Sequence, residues 1–149
     1  MRDVHGGLVV HLQVTGLMMA ALAVLNLALP RFLRWREELA SLSLLNRQVF
    51  QVHAFFIALI VALFAALLLT SSHALLEATR LSRAVLAGLT IFWGTRMLIQ
   101  WFYYSPALWR GNRVNTTVHC LSSMGWTYMT TTFAAALWVN LSQAGLTAQ

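Results

Sequence analysis

Four long apolar stretches, separated by short polar connections, constrain this chain more than any other feature of its sequence. They lie near residues 8–29, 49–72, 84–105 and 116–139. At a rise of about 1.5 Å per residue, helices of this length cross a hydrocarbon core of about 30 Å. Helices joined by short connections pack as antiparallel neighbours. The sequence therefore predicts one all-α transmembrane domain over residues 1–149, a polytopic four-helix up-and-down bundle.

The composition of the chain agrees with a membrane setting. Hydrophobic residues make up 59% of the 149 residues and charged residues only 9%. A chain of this size cannot cover so much apolar surface with its own polar residues, so the lipid bilayer is the expected solvent. The connection over residues 31–48 is amphipathic and predicts a short helix on the membrane surface, with Trp35 at the interface.

The arginines flank the apolar stretches, which is typical of charge-directed membrane insertion and not of a nucleic-acid surface. No nucleic-acid partner is therefore expected, despite the net charge of +6. Three arginines, Arg2, Arg80 and Arg83, lie on one side of the predicted bundle. The other side carries six, namely Arg31, Arg34, Arg36, Arg47, Arg110 and Arg113. This bias predicts a bacterial inner-membrane protein with both termini in the periplasm.

A short internal repeat occurs at matching places in the chain. The pattern Asn-Arg-x-x-x-x-Val-His begins at Asn46 and ends at His53, and it recurs from Asn112 to His119. Arginine favours helix ends at interfaces for other reasons, so coincidence stays open. The repeat favours two tandem helical hairpins related by a pseudo-twofold axis along the membrane normal.

The two histidines of this repeat suggest a cofactor site. His53 and His119 each lie six residues, about 9 Å, beyond an arginine near a helix end. Diagonal helices in a bundle are about 12–14 Å apart, which suits a flat macrocycle held by two axial imidazoles. Histidines that only bond to neighbouring helices, or that act in proton relay or substrate binding, are the alternatives.

Arg96 is the most informative single residue. It lies within the third apolar stretch, and no acidic residue occurs in any of the four stretches. Gln100 and then Tyr103 or Tyr104 follow at helical spacing, so a polar and aromatic stripe should face the bundle. A guanidinium without a carboxylate partner suits a carboxylate or phosphate group of a ligand. The alternative is that Arg96 reaches towards the membrane surface.

These patterns lead to three hypotheses of function. The first is a cofactor- or ligand-binding membrane protein, most concretely a bis-histidine haem b protein that exchanges electrons with quinone. The cofactor residues are then His53 and His119 as haem iron ligands, with Arg96 and Trp126. Ligand contacts come from Arg47, Arg113, Gln100, Tyr103 and Tyr104. The second hypothesis is a protein that binds or modifies anionic lipid. The third is a non-catalytic accessory subunit of a larger membrane complex. The partners are then the lipid bilayer and either a homo-oligomer or such a complex.

Overall fold

The structure is a computed structural model, and it describes residues 2–32 and 34–146. Every regular element in these ranges is helical, which confirms the all-α class. The four long helices are α1 (Arg2–Phe32), α3 (Leu44–Leu76), α4 (Arg80–Phe102) and α5 (Arg113–Leu146). The short helix α2 (Trp35–Glu38) and two 3₁₀ turns, Leu39–Ser41 and Pro106–Leu108, occupy the connections.

Three of the four long helices are long and apolar enough to cross a membrane. They are His5–Phe32 within α1, the whole of α3, and the whole of α4. In the described part of the chain, α5 is not among these candidate spans. Its many Thr, Ser and Asn side chains account for this, because they lower the hydropathy of a helix that is otherwise long enough.

The chain divides into two compact units. The first, called here the α1–α3 unit, runs from Leu12 to Ser72. The second, called the α4–α5 unit, combines the residues up to His11 with those from His73 onward. The boundary inside α3 lies next to Ser71, whose backbone departs from helical geometry (φ −129°, ψ 21°).

Helices α1 and α3 approach each other closely within the α1–α3 unit. Gly16 on α1 makes this possible, because a Cβ atom there would lie 3.0 Å from Leu69 Cγ and 3.1 Å from Leu68 Cβ. Leu12 and Met19, on either side of Gly16, are fully buried. A small residue that lets the side chains of a neighbouring helix approach is a common feature of helix packing in membranes.

Replacing Gly16 with valine should therefore destabilise the α1–α3 unit. The expected loss is about 2 kcal/mol, because the new side chain forces Leu68 and Leu69 out of their packed positions. Gly88 is the matched control: it is exposed on α4, and a Cβ atom there meets nothing within 4 Å. Unfolding by sodium dodecyl sulfate in mixed micelles measures both variants. Equal stability of Gly16→Val and Gly88→Val would contradict the close packing at Gly16.

Aromatic stacking joins α4 to α5 in the α4–α5 unit. The indole rings of Trp93 on α4 and Trp126 on α5 are stacked, with centroids 5.2 Å apart and planes 22° apart. Trp93 is 2% exposed, and Phe133 on α5 is completely buried. The start of α1 also belongs to this unit, where His11 Nδ1 lies 2.8 Å from the Tyr128 hydroxyl. These contacts hold the helices that form the candidate site.

Asn140 on α5 forms hydrogen bonds with the connection between α3 and α4. Its side chain is 0% exposed. The Nδ2 atom donates to the carbonyl of Glu77 at 2.6 Å and to the Ser82 hydroxyl at 3.0 Å, and it lies 3.3 Å from the carbonyl of Leu75. The side chains of Ser82 and Thr79 form a capping box at the start of α4. Asn140 thus satisfies carbonyl groups that the end of α3 leaves without helical partners.

The first connection consists of short helical pieces. Between the end of α1 at Phe32 and the start of α3 at Leu44, the structure has the single turn of α2 followed by a 3₁₀ turn. The location of this segment on the membrane surface stays a prediction. Helix α3 then begins at Leu44, because the Ser43 hydroxyl accepts from the backbone N–H of Asn46 at 3.3 Å. Trp35 packs edge-on against Phe50, with ring centroids 4.8 Å apart.

The two copies of the repeat have different local geometry. Asn112 stands before α5, and its side-chain oxygen accepts from the backbone N–H of Asn115 at 3.2 Å. Asn46 instead lies inside α3, three residues after Ser43. His53 is consequently further along its helix than His119 is along α5. The two-hairpin duplication stays a prediction, and its two copies do not share a helix start.

Candidate functional site

An open cleft of about 360 Å³ lies within the α4–α5 unit, where α4 ends and α5 begins. Its walls come from the last two turns of α4, the connection to α5, and the first turns of α5. The lining residues are Arg96, Gln100, Tyr104, Leu108, Trp109, Asn115, Val118, His119 and Ser122. No acidic residue is among them. The cleft therefore presents arginine, histidine, amide and hydroxyl groups beside aromatic and aliphatic surface.

Gln100, which lines the cleft, forms hydrogen bonds with three other side chains. It is 6% exposed. Its Oε1 atom accepts from Arg96 Nη1 at 3.2 Å and from Trp126 Nε1 at 3.3 Å. Its Nε2 atom lies 2.8 Å from Nδ1 of His119. One amide therefore links an arginine of α4 to a histidine and a tryptophan of α5.

Aromatic rings pack against the side chains of Arg96 and His119. Trp109 stacks on the His119 ring, with centroids 3.8 Å apart and planes 11° apart. Arg96 Cζ lies 5.0 Å from the Trp126 ring centroid and 5.7 Å from that of Tyr104, within the usual range for cation–π attraction. These contacts restrict the motion of Arg96 and His119 without neutralising the guanidinium.

Arg96 lies six residues before the end of α4, or about 9 Å along the helix axis. It is half-buried, and it forms no ion pair with an acidic side chain in the described part of the chain. The arginine-to-glutamate bridge that the structure records joins Arg34 and Glu37 at 3.7 Å, in the other unit. Arg96 thus offers a positive charge to the cleft.

The structure brings together most of the predicted site on α4 and α5. The cleft is lined by Arg96, Gln100, Tyr104 and His119. Trp126 does not line it but donates a hydrogen bond to Gln100. Tyr103 is 80% exposed and is not part of the lining. Of the two tyrosines that the helical spacing offered, Tyr104 lines the cleft with Arg96 and Gln100, and Tyr103 does not. A ligand-binding role for these residues stays a prediction.

Besides Tyr103 and Trp126, three predicted residues lie outside the cleft. Arg113 is exposed at the start of α5 and does not line it. Arg47 and His53 belong to the α1–α3 unit. The His53 side chain is exposed and makes no hydrogen bond among the described residues. A smaller cleft of about 140 Å³ in that unit is lined by Trp35, Gln51 and Phe55 among others, but not by His53.

The connection between α4 and α5 supplies cleft residues that the sequence did not predict. Trp109 and Leu108 reach the cleft because Pro106 begins a 3₁₀ turn after α4. Side chains of α5 then hold this turn: Asn115 Nδ2 donates to the carbonyl of Leu108 at 2.9 Å, and the Thr116 hydroxyl donates to that of Trp109 at 2.8 Å. The signal for this arrangement was the run of Asn and Thr side chains at the start of α5, which is typical of capping.

The described residues contain no group of three or more His, Cys, Asp and Glu side chains that could hold a metal ion. A bis-histidine haem site needs only two imidazole ligands, so the absence of a larger group does not test it. His119 and His53 fall in different units, so their pairing as axial ligands stays a prediction. Around His119, Nδ1 is engaged by Gln100 and one ring face is covered by Trp109.

The fold and the cleft together define an all-helical protein with three helices able to cross a membrane and a polar, aromatic site at the junction of α4 and α5. Comparisons with protein-family models, with curated proteins and with solved structures find no match for this chain.

Proposed function

We propose that this chain is a polytopic membrane protein that binds an anionic amphiphile in the cleft at Arg96. The observation that carries the proposal is a half-buried guanidinium that faces an open cleft and has no carboxylate partner among the described residues. A charge in such a position is costly and is usually kept for a function. An anionic headgroup is the partner that its planar fork suits best.

The rest of the cleft suits an amphiphile better than a small hydrophilic anion. Leu108 and Val118 line it, and they are 58% and 57% exposed, so apolar surface continues outward from the polar groups. Val114 and Leu121, at helical spacing around Val118 on α5, are exposed as well. This surface offers a path for an acyl chain beside α5, while the headgroup meets Arg96.

Four membrane crossings belong to the same proposal, with α5 as the fourth. Its hydroxyl groups are largely satisfied by the helix itself: Thr117, Ser123, Thr127 and Thr130 each donate to the carbonyl four residues earlier, at 2.7–2.9 Å. Groups paired in this way lose little on transfer into lipid, because their hydrogen bonds need no water. This pairing supports a crossing despite the lower hydropathy of α5.

A topology experiment distinguishes four crossings from three. Four crossings place both ends of the chain on the same side, and the arginine bias predicts the periplasmic side of a bacterial inner membrane. Alkaline phosphatase fused to either end should then be active, and green fluorescent protein fused to the C-terminal end should stay dark. A periplasmic N-terminal fusion together with a fluorescent C-terminal fusion would show that α5 does not cross.

Ligand-dependent stability tests the binding function. In maltoside micelles, dioleoyl phosphatidic acid, phosphatidylglycerol or oleate should raise the melting temperature of the wild type, because a ligand stabilises the state that binds it. Dioleoyl phosphatidylcholine should not. Arg96→Leu should lose the shift, and Arg110→Leu, an exposed arginine outside the cleft, should keep it. No shift with any of the three anions, or equal shifts in both variants, would overturn the proposal.

The haem b hypothesis, with quinone as redox partner, has its own test. Protein purified from haem-replete cells should show a redox-sensitive Soret band, which His53→Ala and His119→Ala each abolish. A colourless preparation would exclude it. The amphiphile proposal does not depend on this result, because it rests on Arg96.

A further inference from the structure

The orientation of the Gln100 amide is determined by its neighbours. Arg96 and Trp126 can only donate hydrogen bonds from their side chains, and both point at the same atom, Oε1 of Gln100. Turning the amide over would set its NH₂ group against these two donors. Gln100 Nε2 must therefore face His119 Nδ1, which lies 2.8 Å away.

This orientation determines where the His119 proton lies. An amide NH₂ group can only donate, so Nδ1 of His119 accepts. In the neutral imidazole one nitrogen accepts and the other carries the hydrogen, so the hydrogen is on Nε2. Nε2 has no hydrogen-bond partner among the described residues, and the ring lines the cleft. His119 is thereby presented as a second hydrogen-bond donor beside Arg96.

Ser122 adds a third donor on the same side. It follows His119 by three residues on α5 and lines the cleft, and its hydroxyl makes no hydrogen bond among the described residues. Arg96 approaches from α4, whereas His119 and Ser122 approach from α5. A guanidinium fork takes one lone pair on each oxygen of a carboxylate, and the lone pairs that remain lie in the same plane. A tetrahedral phosphate has further oxygens for donors that come from another helix.

We infer that Gln100 is a positioning residue that holds His119 as the Nε2–H tautomer, so that His119 and Arg96 together bind a phosphate headgroup. The inference rests on the proposed function, because it assumes that an anionic amphiphile enters the cleft, and it narrows that ligand to a phosphate ester. It also bears on the haem hypothesis. Axial ligation by Nε2 requires the proton on Nδ1, which is the opposite tautomer.

Two-bond ¹H–¹⁵N correlation spectra read the tautomer directly and require no ligand. In the wild type we expect the His119 signal, assigned by its loss in His119→Phe, to show a protonated Nε2 and an unprotonated Nδ1. Gln100→Glu has nearly the same shape, but its carboxylate accepts where the amide donated. Nδ1 should then acquire the proton. A wild-type His119 with its proton on Nδ1 would overturn the inference, whatever the binding data show.

Binding of phosphatidic acid and oleate in maltoside micelles tests the role of the donor. His119→Phe should weaken phosphatidic acid binding about 10-fold or more, since a hydrogen bond to a charged group is lost. It should change oleate binding less than 3-fold, and His53→Phe, the matched control, should change neither. Gln100→Glu should weaken phosphatidic acid most, because its carboxylate also pairs with Arg96.

The outcomes separate this inference from the proposed function. Wild-type affinity of His119→Phe for phosphatidic acid, with Arg96→Leu still defective, overturns the donor role and leaves the anionic site standing. Failure of the wild type to bind any of the anions overturns both, even if the tautomer is as expected. Inorganic phosphate should compete only weakly. Competition as strong as that of the lipid would assign the site to free phosphate and not to a headgroup.

Discussion

Arg96→Gln is expected to weaken the binding of an anionic amphiphile about 100-fold, which corresponds to about 3 kcal/mol. Glutamine can still donate to Gln100, but it carries no charge and lacks the planar fork. Arg96→Lys should be intermediate, with a loss of about 10-fold, because the charge remains and the paired donors do not. Titration of fluorescent short-chain phosphatidic acid into the protein in maltoside micelles gives these affinities.

The fold should tolerate both substitutions. Within the protein, Arg96 makes one hydrogen bond, to Gln100, and lies over the rings of Tyr104 and Trp126. Contacts of this kind contribute about 1 kcal/mol or less each, so ligand-free stability should stay close to that of the wild type. A variant that binds the lipid as tightly as the wild type would contradict the binding role of Arg96. A variant that loses stability as steeply as affinity would show that Arg96 has a structural role.

Asn140→Ala is expected to cost about 3 kcal/mol of stability. Removal of the amide leaves the carbonyl of Glu77 and the Ser82 hydroxyl with fewer partners at a site where Asn140 is 0% exposed. Buried acceptors without a donor are costly. Unfolding by sodium dodecyl sulfate, followed by circular dichroism, measures the loss.

Asn26→Ala is the matched control for Asn140→Ala. Asn26 Nδ2 donates at 2.8 Å to the carbonyl of Leu22, in the preceding turn of its own helix. Its removal should therefore cost less than about 1 kcal/mol. If the two variants lost stability equally, Asn140 would not be fastening the connection between α3 and α4.

The helices were predictable from the sequence, whereas their ends were less so. Runs of more than twenty apolar residues predict long helices because a helix pairs its own backbone groups in lipid. The ends depend on single side chains instead. Ser43 starts α3 at Leu44, ahead of the apolar run, and the 3₁₀ turn at Pro106 follows an α4 that already ends at Phe102. Hydropathy contains no information on such caps.

The candidate site was likewise only partly predictable from the sequence. Periodicity placed Arg96, Gln100 and either Tyr103 or Tyr104 on one face. In the structure Arg96 and Gln100 line one cleft together with Tyr104, which lies two residues beyond the end of α4. Periodicity did not predict that Trp109 stacks on His119, because this contact depends on how the connection between α4 and α5 folds. The pairing of His119 with Gln100 likewise joins residues 19 apart in the sequence. The spacing of residues within one helix does not predict contacts that the helix makes with another element.

Native mass spectrometry of the protein purified from its own membranes tests the central claim most directly, since it requires no prior choice of ligand. We expect the wild type and Arg110→Leu to carry an anionic amphiphile that survives release from the micelle, and Arg96→Leu to lack it. Retention of the same bound species by Arg96→Leu would contradict the claim that the cleft at Arg96 is where this protein binds its ligand.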